Sequence, residues 1–152
     1  MHIIAAMSAA AKPSPEVCNL LALRQATRRL TQVYDHFLAP SGVRGTQFSI
    51  LARLRRQGKV PIGEMAEAMV MDRTTLARNL KPLQRQRLVT IAAGADRRRR
   101  EIRLTDKGLA AIEAALPLWR RAQQHFEREY GPAEASRLRA MLRDVTLTEV
   151  AG

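Results

Sequence analysis

Between Asp72 and Gly108 the spacing of apolar residues changes period twice, and few folds can hold that change in so short a stretch. Leu76, Leu80 and Leu83 recur at steps of four and three. At about 100° per residue this gathers them on one face of a helix. Thr74, Arg78, Lys81 and Arg85 fall on the opposite face. From Val89 the period drops to two: Val89 and Ile91, then Ile102 and Leu104, alternate with polar or small neighbours, and Gly94 and Asp96 lie between the two runs. That is the pattern of a β-hairpin. Helical spacing returns after Thr105. Asp72 and Thr105 are each placed to cap the helix that follows, because a short side-chain oxygen can accept from a free amide of the first turn.

The flanking segments are helical by the same criterion. Leu20, Leu23, Thr27, Leu30, Tyr34 and Phe37 form one seam between Val17 and Leu38, which "APSG" ends. Thr46 is expected to cap a helix carrying Phe48, Leu51 and Leu54, stopped by Gly58. A short helix follows with Ile62, Met65, Ala66 and Met69 on one face. Beyond Thr105 a long helix keeps Leu109, Ile112, Leu116, Trp119, Phe126 and Tyr130 in register as far as "YGP", with Pro117 expected to bend it locally. A last helix begins near Ala133 and carries Leu138, Leu142 and Val145. Aromatics are only 4% of the chain, so the core must be built from Leu, Ala, Val, Met and Ile. The 152 residues suffice for one domain. The fold class is mainly α with a small β-hairpin wing.

Charge narrows the function. The formal net charge is +12, and the cations are 22 Arg and 4 Lys. An excess of that size attracts polyanions. From Asp72 to Arg103 there are ten cations and three carboxylates, so +7 of the total is concentrated in 32 residues. The candidate polyanions are nucleic acid and acidic membrane; no apolar run approaches the ~20 residues that span a bilayer, and nucleic acid, with no membrane, is the expected partner. A helix with one cationic face fits the major groove, and a hairpin beside it can lay arginine into the minor groove, where negative potential is enhanced. In "ADRRRREIRLTDKG" Asp96 is expected to hold the Arg98 guanidinium in one rotamer by charge-assisted hydrogen bonds. Short helix, turn, cation-faced helix and hairpin make a helix-turn-helix followed by a wing. Its candidate DNA contacts are Arg73, Thr74, Thr75, Arg78, Asn79 and Lys81 on the helix and Asp96, Arg97, Arg98 and Arg99 on the hairpin.

At these residues the sequence resembles the MarR family of bacterial transcriptional regulators. The family's wing pattern places Asp and Arg one residue apart, five further residues before Leu-Thr, and Gly three after the Thr. Asp96, Arg98, Leu104, Thr105 and Gly108 match it, and "MDRTTLARNLKPLQRQRLV" matches the recognition helix, with Arg78 at the groove-facing arginine. The resemblance implies a winged helix-turn-helix with long N- and C-terminal dimerisation helices. It assigns 45–104 to the DNA-binding lobe and 16–40 and 105–147 to dimerisation, within one domain at 16–150 that follows a disordered tail at 1–15. It further implies a homodimeric repressor on a pseudopalindromic double-stranded operator, with recognition helices about 34 to 36 Å apart. A phenolic or aromatic carboxylate effector would enter between the dimer base and the DNA-binding lobe and release the DNA, with Arg24 and His36 as candidate contacts. Three positions depart from the pattern: Pro82 lies inside the recognition helix, Arg87 stands where the family has glycine before Leu-Val, and Pro61 and Gly63 open the short helix where a Ser or Thr cap is usual.

Other classes find less support. A sequence-independent architectural DNA-binding protein shares the charge, but Thr and Asn beside Arg on a capped helix suit base reading. Cys18 is the one cysteine. It precludes an internal disulfide, favours a cytoplasmic location, and is the candidate for a thiol-based redox-sensing regulator, since it lies near a helix start with Arg24 less than two turns on. The opening "MHIIAAMSAAAKPSP" lacks the basic start and apolar centre of a signal peptide. His2, His36 and His125 are scattered without metal-ligand spacing. With no Gly-rich phosphate loop, no metal cluster and no nucleophile–base pair, the sequence implies neither an enzyme nor a cofactor.

Overall fold

The computed structural model describes Lys12 and residues 14–151. The expected tail therefore lies outside the described residues at 1–11 and 13, and Pro15 already belongs to a 3₁₀ turn, Pro15–Val17. Six helices and three strands follow: α1 (Asn19–Leu38), α2 (Gly45–Gln57), β1 (Lys59–Pro61), α3 (Ile62–Ala68), α4 (Arg73–Arg85), β2 (Val89–Ala93), β3 (Arg100–Leu104), α5 (Asp106–Tyr130) and α6 (Pro132–Thr146). This is a mainly helical winged helix-turn-helix whose wing is the β2–β3 hairpin.

The core is aliphatic, as the scarcity of aromatics requires. Leu51, Leu54, Met65, Leu76, Leu83, Ile102 and Ile112 are fully buried, joining α2, α3, α4, β3 and the first half of α5. Each such side chain contributes about 1.5 to 3 kcal/mol relative to exposure. Asp72 caps α4, its Oδ1 accepting from the Thr75 amide at 2.7 Å. Thr105 caps α5, accepting from the Gly108 amide at 2.9 Å and donating to the Arg87 carbonyl at 2.6 Å.

Several sequence expectations are corrected. Thr46 does not cap α2. Arg44 holds the N-cap position, and the first helical amide, of Gly45, donates to Asp35 of α1 at 2.7 Å; a cap delivered from another helix leaves no local signature. The wing hairpin has a third strand, since β1 pairs antiparallel with β3, Val60 opposite Ile102. Three residues ending in proline are too few to show alternation. α5 runs unbroken through Pro117. Its buried residues are Gly108, Ile112, Ala115 and Ala122, whereas Leu109 and Tyr130 of the expected seam are 45% and 48% exposed. Close helix packing selects small residues that a search for large apolar ones passes over.

The departures at Pro82 and Arg87 are absorbed locally. α4 continues through Pro82 to Arg85, and the Pro82 carbonyl accepts from Gln86 at 3.0 Å. Arg87 takes φ 58°, so the left-handed cap that a glycine would favour forms without one. Val70, in the turn between α3 and α4, also sits in the left-handed region at φ 52°, which is strained for a β-branched residue. The turn closes with the Met71 amide on the Ala66 carbonyl at 2.9 Å.

Candidate nucleic-acid interface

The cap and the leucine face of α4 decide what the helix presents outward. With Leu76, Leu80 and Leu83 buried, Arg73, Thr74, Arg78, Lys81 and Arg85 are all exposed. Thr75 and Asn79 are half-buried and bonded within the helix: Thr75 Oγ1 donates to Asp72 Oδ2 at 3.0 Å, and Asn79 Nδ2 donates to the Thr75 carbonyl at 2.9 Å. The Thr75 amide hydrogen bond, then its hydroxyl, with smaller help from Thr74 and the Arg78 charge, holds the Asp72 carboxyl below the usual carboxylate range. The cap is thus strongest when ionised.

The hairpin tip is a closed loop in which the Gly94 amide donates to the Arg99 carbonyl at 2.8 Å and the Arg99 amide to the Asp96 carbonyl at 2.9 Å. Asp96 does not hold the Arg98 guanidinium. Its Oδ1 accepts the Arg98 backbone amide at 3.0 Å, because a carboxylate two residues ahead reaches the main chain more easily than the end of a long side chain. Arg97, Arg98, Arg99 and Arg100 project from that loop and are exposed.

Among the described residues, no ion pair involves Arg73, Arg78, Lys81 or the four hairpin-tip arginines. The ion pairs among the described residues use four other cations: Arg55 meets Glu113, Lys59 and Arg103 flank Glu101 at 3.8 and 3.2 Å, and Arg139 meets Glu127 at 3.1 Å. Arg73 and Arg98–Arg100 also line one cleft of about 500 Å³ between the helix-turn-helix and the wing, with Glu64 and Glu67 on its α3 side. The fold therefore brings the start of α4 and the wing tip around one depression.

A second cavity, of about 310 Å³, lies among α1, α2 and α5. Phe48 and Trp119, stacked at 5.4 Å with 8° between their planes, form part of its wall, and Thr31, Tyr34, Thr46 and Ser49 bring hydroxyls. Tyr34 donates to Gln123 Oε1. Burial first, then the Glu127 charge, pushes the Tyr34 phenol above its ordinary range, with Arg139 partly opposing. Sequence reasoning missed Tyr34 and Trp119 as cavity residues because both sit on packing seams. Neither Arg24 nor His36 lines the cavity: both are exposed on α1, and His36 packs edge-on against Phe37 at 5.5 Å. Cys18 is exposed at the N-cap of α1, its Sγ accepting from the Leu21 amide at 3.4 Å. The described residues contain no cluster of His, Cys, Asp or Glu suited to a metal ion, and no helix long and apolar enough to cross a membrane.

Helix-turn-helix, three-stranded wing and unpaired arginines on one lobe define a winged-helix protein of the DNA-binding class. Comparison with known proteins makes this specific. A family model described as MarR family matches residues 41–99. The transcriptional regulator MosR of M. tuberculosis, crystallised in complex with DNA, is 40% identical, with a TM-score of 0.77 over 85% of this chain and 93% of that one. The HTH-type transcriptional repressor NicR of Pseudomonas putida is 28% identical over 121 residues, 79% of this chain and 75% of that protein. BpsR of Bordetella bronchiseptica has the same fold, with a TM-score of 0.78 over 91% of this chain and all of that one, at 24% identity. The chain belongs to the MarR family of transcriptional regulators, which are DNA-binding proteins and not enzymes.

Proposed function

We propose that the protein is a homodimeric, ligand-responsive repressor that reads a pseudopalindromic operator, with α4 in the major groove and the wing tip in the neighbouring minor groove. The observation that carries this reading is the shared cleft of Arg73 and Arg98–Arg100, whose guanidinium groups have no carboxylate partner among the described residues. Seven unpaired cations on one lobe can each release counterion from a phosphate. Arg78, Thr74 and Lys81 then face base edges or phosphates and Arg73 a phosphate, while Arg97, Arg98 and Arg99 serve the wing. Thr75 and Asn79 act from within, fixing the cap and the turn of helix from which Arg78 projects. Asp96 shapes the loop through its backbone bond.

The dimer is supported by apolar surface that one chain leaves uncovered. Val17, Leu20, Met141 and Leu147 are 77%, 63%, 58% and 79% exposed near the ends of α1 and α6. An apolar groove of about 270 Å³ between those helices is lined by Leu23, Leu30, Leu138 and Leu142. The relatives agree in kind, since MosR was crystallised with DNA and NicR is described as a repressor. The cavity among α1, α2 and α5 is the effector site in this reading. An effector acts there only by binding the DNA-competent and released conformations with different affinity.

The test is selection of genomic fragments by the purified protein in the presence of excess bulk DNA. A regulator retains a preferred, two-fold symmetric site under that competition. Binding that disperses over all fragments refutes the reading and returns the architectural alternative.

A further inference from the structure

The three-stranded wing carries six cations, Lys59, Arg97–Arg100 and Arg103, and two carboxylates, Asp96 and Glu101. Asp96 is engaged by the backbone of the tip, where it accepts the Arg98 amide. Glu101 is the one that meets cationic side chains. Its carboxylate lies 3.2 Å from Arg103 Nη2 and 3.8 Å from Lys59 Nζ, and its side chain is 13% exposed, against 52% and 54% for theirs. The register explains why the three meet. Lys59 and Arg103 are partners across β1 and β3, and like charges directly opposite on one face of a sheet repel. Glu101 is two residues from Arg103 along β3 and projects from the same face. Ion pairs with partners this exposed contribute little to stability; their consequence is where the two cations are held.

Gly94 makes the seat for the carboxyl group. A Cβ built there would lie 2.5 Å from Glu101 Oε1 and 2.6 Å from its Cδ, so the group rests on the backbone where the chain leaves β2 for the tip. Arg103 stands three residues behind Arg100 on β3, about 10 Å at the usual ~3.3 Å per residue. A wing seated by its tip in a minor groove therefore keeps Lys59 and Arg103 back from the groove. We infer that Glu101 is a specificity-determining positioning residue: by holding Lys59 and Arg103 on the flank of the sheet, it confines the wing's phosphate contacts to the tip arginines. Phosphate contacts carry no sequence information. A complex whose register is fixed by α4 cannot shift to collect more of them, whereas a complex on bulk DNA has no fixed register and gains from every free cation. Glu101 thus lowers affinity for bulk DNA more than affinity for a preferred site. The inference rests on the proposed seating of the wing on the duplex.

Binding of the full-length protein to poly(dI-dC), a repeating duplex with no operator, is measured between about 50 and 200 mM salt, where each neutralised phosphate steepens the logarithmic slope by about 0.9. Glu101→Gln keeps the shape of the side chain and removes its charge. It is expected to steepen the slope by about 1 to 2 and to raise affinity for this polymer about tenfold near 0.1 M salt, while the ratio of affinity for a fragment recovered in the genomic selection to affinity for the polymer falls. Gly94→Ala evicts the carboxyl group without changing any charge, at a position outside the left-handed region, and is expected to move both readings in the same direction. Replacing Lys59 and Arg103 by Gln together with Glu101→Gln is expected to return the parent slope, a reversal that mere loosening of the wing would not give. An unchanged or shallower slope in Glu101→Gln, with its urea midpoint at that of the parent, overturns the inference; if that variant is destabilised, Gly94→Ala decides by the same criterion. Arg98→Ala separates the two readings. A parent-like slope in that variant refutes the seating of the wing and the inference with it, whereas a slope lowered by Arg98→Ala and untouched by Glu101→Gln refutes the role of Glu101 alone.

Discussion

Replacing Gly108 with alanine should destabilise the protein, although a glycine-to-alanine change within a helix ordinarily gains about 0.5 to 1 kcal/mol. A Cβ built at Gly108 would lie 1.9 Å from the Leu88 carbonyl oxygen and 3.1 Å from Leu104 Cδ2. Carbon and oxygen settle no closer than about 3.3 Å even in favourable C–H···O contacts. The first turn of α5 must therefore move by more than about 1 Å from the end of α4, and the obstacle is backbone that cannot rotate aside. That movement pulls on the Thr105 amide's bond to the Leu88 carbonyl at 3.1 Å and on the Thr105 hydroxyl's bond to Arg87 at 2.6 Å. Overpacking costs about 1 to 3 kcal/mol and each hydrogen bond about 1. Less the helical gain, the net loss is about 2 to 4 kcal/mol out of a stability of about 5 to 15. Urea unfolding at one fixed protomer concentration measures it as a lower midpoint with an unchanged slope. A variant as stable as the parent would show that the junction of α5 and the wing is soft, and would remove the steric reason for a glycine three residues after the Thr.

Other substitutions test the remaining parts of the argument. Arg87→Gly relieves a left-handed residue at φ 58° and should raise stability by about 1 kcal/mol in the same unfolding assay; a loss would mean the arginine side chain has a structural role. Because the Asp72 carboxyl is held below its ordinary range by its bonds to Thr75, its contribution is present above the unfolded-state pKa and is lost as pH falls through the lowered folded-state value. Asp72→Asn should flatten that acid limb, and an identical acid profile would contradict the cap's role. Arg78→Ala should cost about 1 to 3 kcal/mol on the preferred site if the guanidinium reads a base, whereas equal losses on all sequences assign it to phosphate. Asp96→Asn keeps an acceptor for the Arg98 amide and should preserve wing-dependent DNA affinity. Asp96→Ala should reduce that affinity with the fold intact, and equal behaviour of the two variants would count against the loop's backbone bond.

The reading frame of the fold was legible wherever one segment carried its own reason. Asp72 and Thr105 cap helices by bonds three residues long, and the leucine face of α4 and the alternation of β2 and β3 are local periodicities, so sequence spacing sufficed for all of them. What was hidden depends on segments far apart. β1 exists because Val60 finds Ile102 across 42 residues, and α2 is capped by Asp35 from the preceding helix. Gly108 reads as a pattern element in the sequence and becomes a steric necessity only when Leu88 is brought beside it.

The candidate site divides along the same line. Which arginines are exposed followed from the helix wheel and the hairpin. The roles of Thr75, Asn79 and Asp96 did not, because a polar side chain facing solvent in a projection can instead be taken up by its own backbone. The placement of Arg24 and His36 outside the second cavity has a related reason. Arg24 and His36 suit an anion by residue type, but which residues share a cavity is set by the packing of elements, and the walls here come from α1, α2 and α5 together. The two regions solve opposite electrostatic problems. Arg73, Arg78, Lys81 and Arg97–Arg100 have no ion-pair partner among the described residues, which leaves their charge available to phosphate, while no cation lines the cavity among α1, α2 and α5.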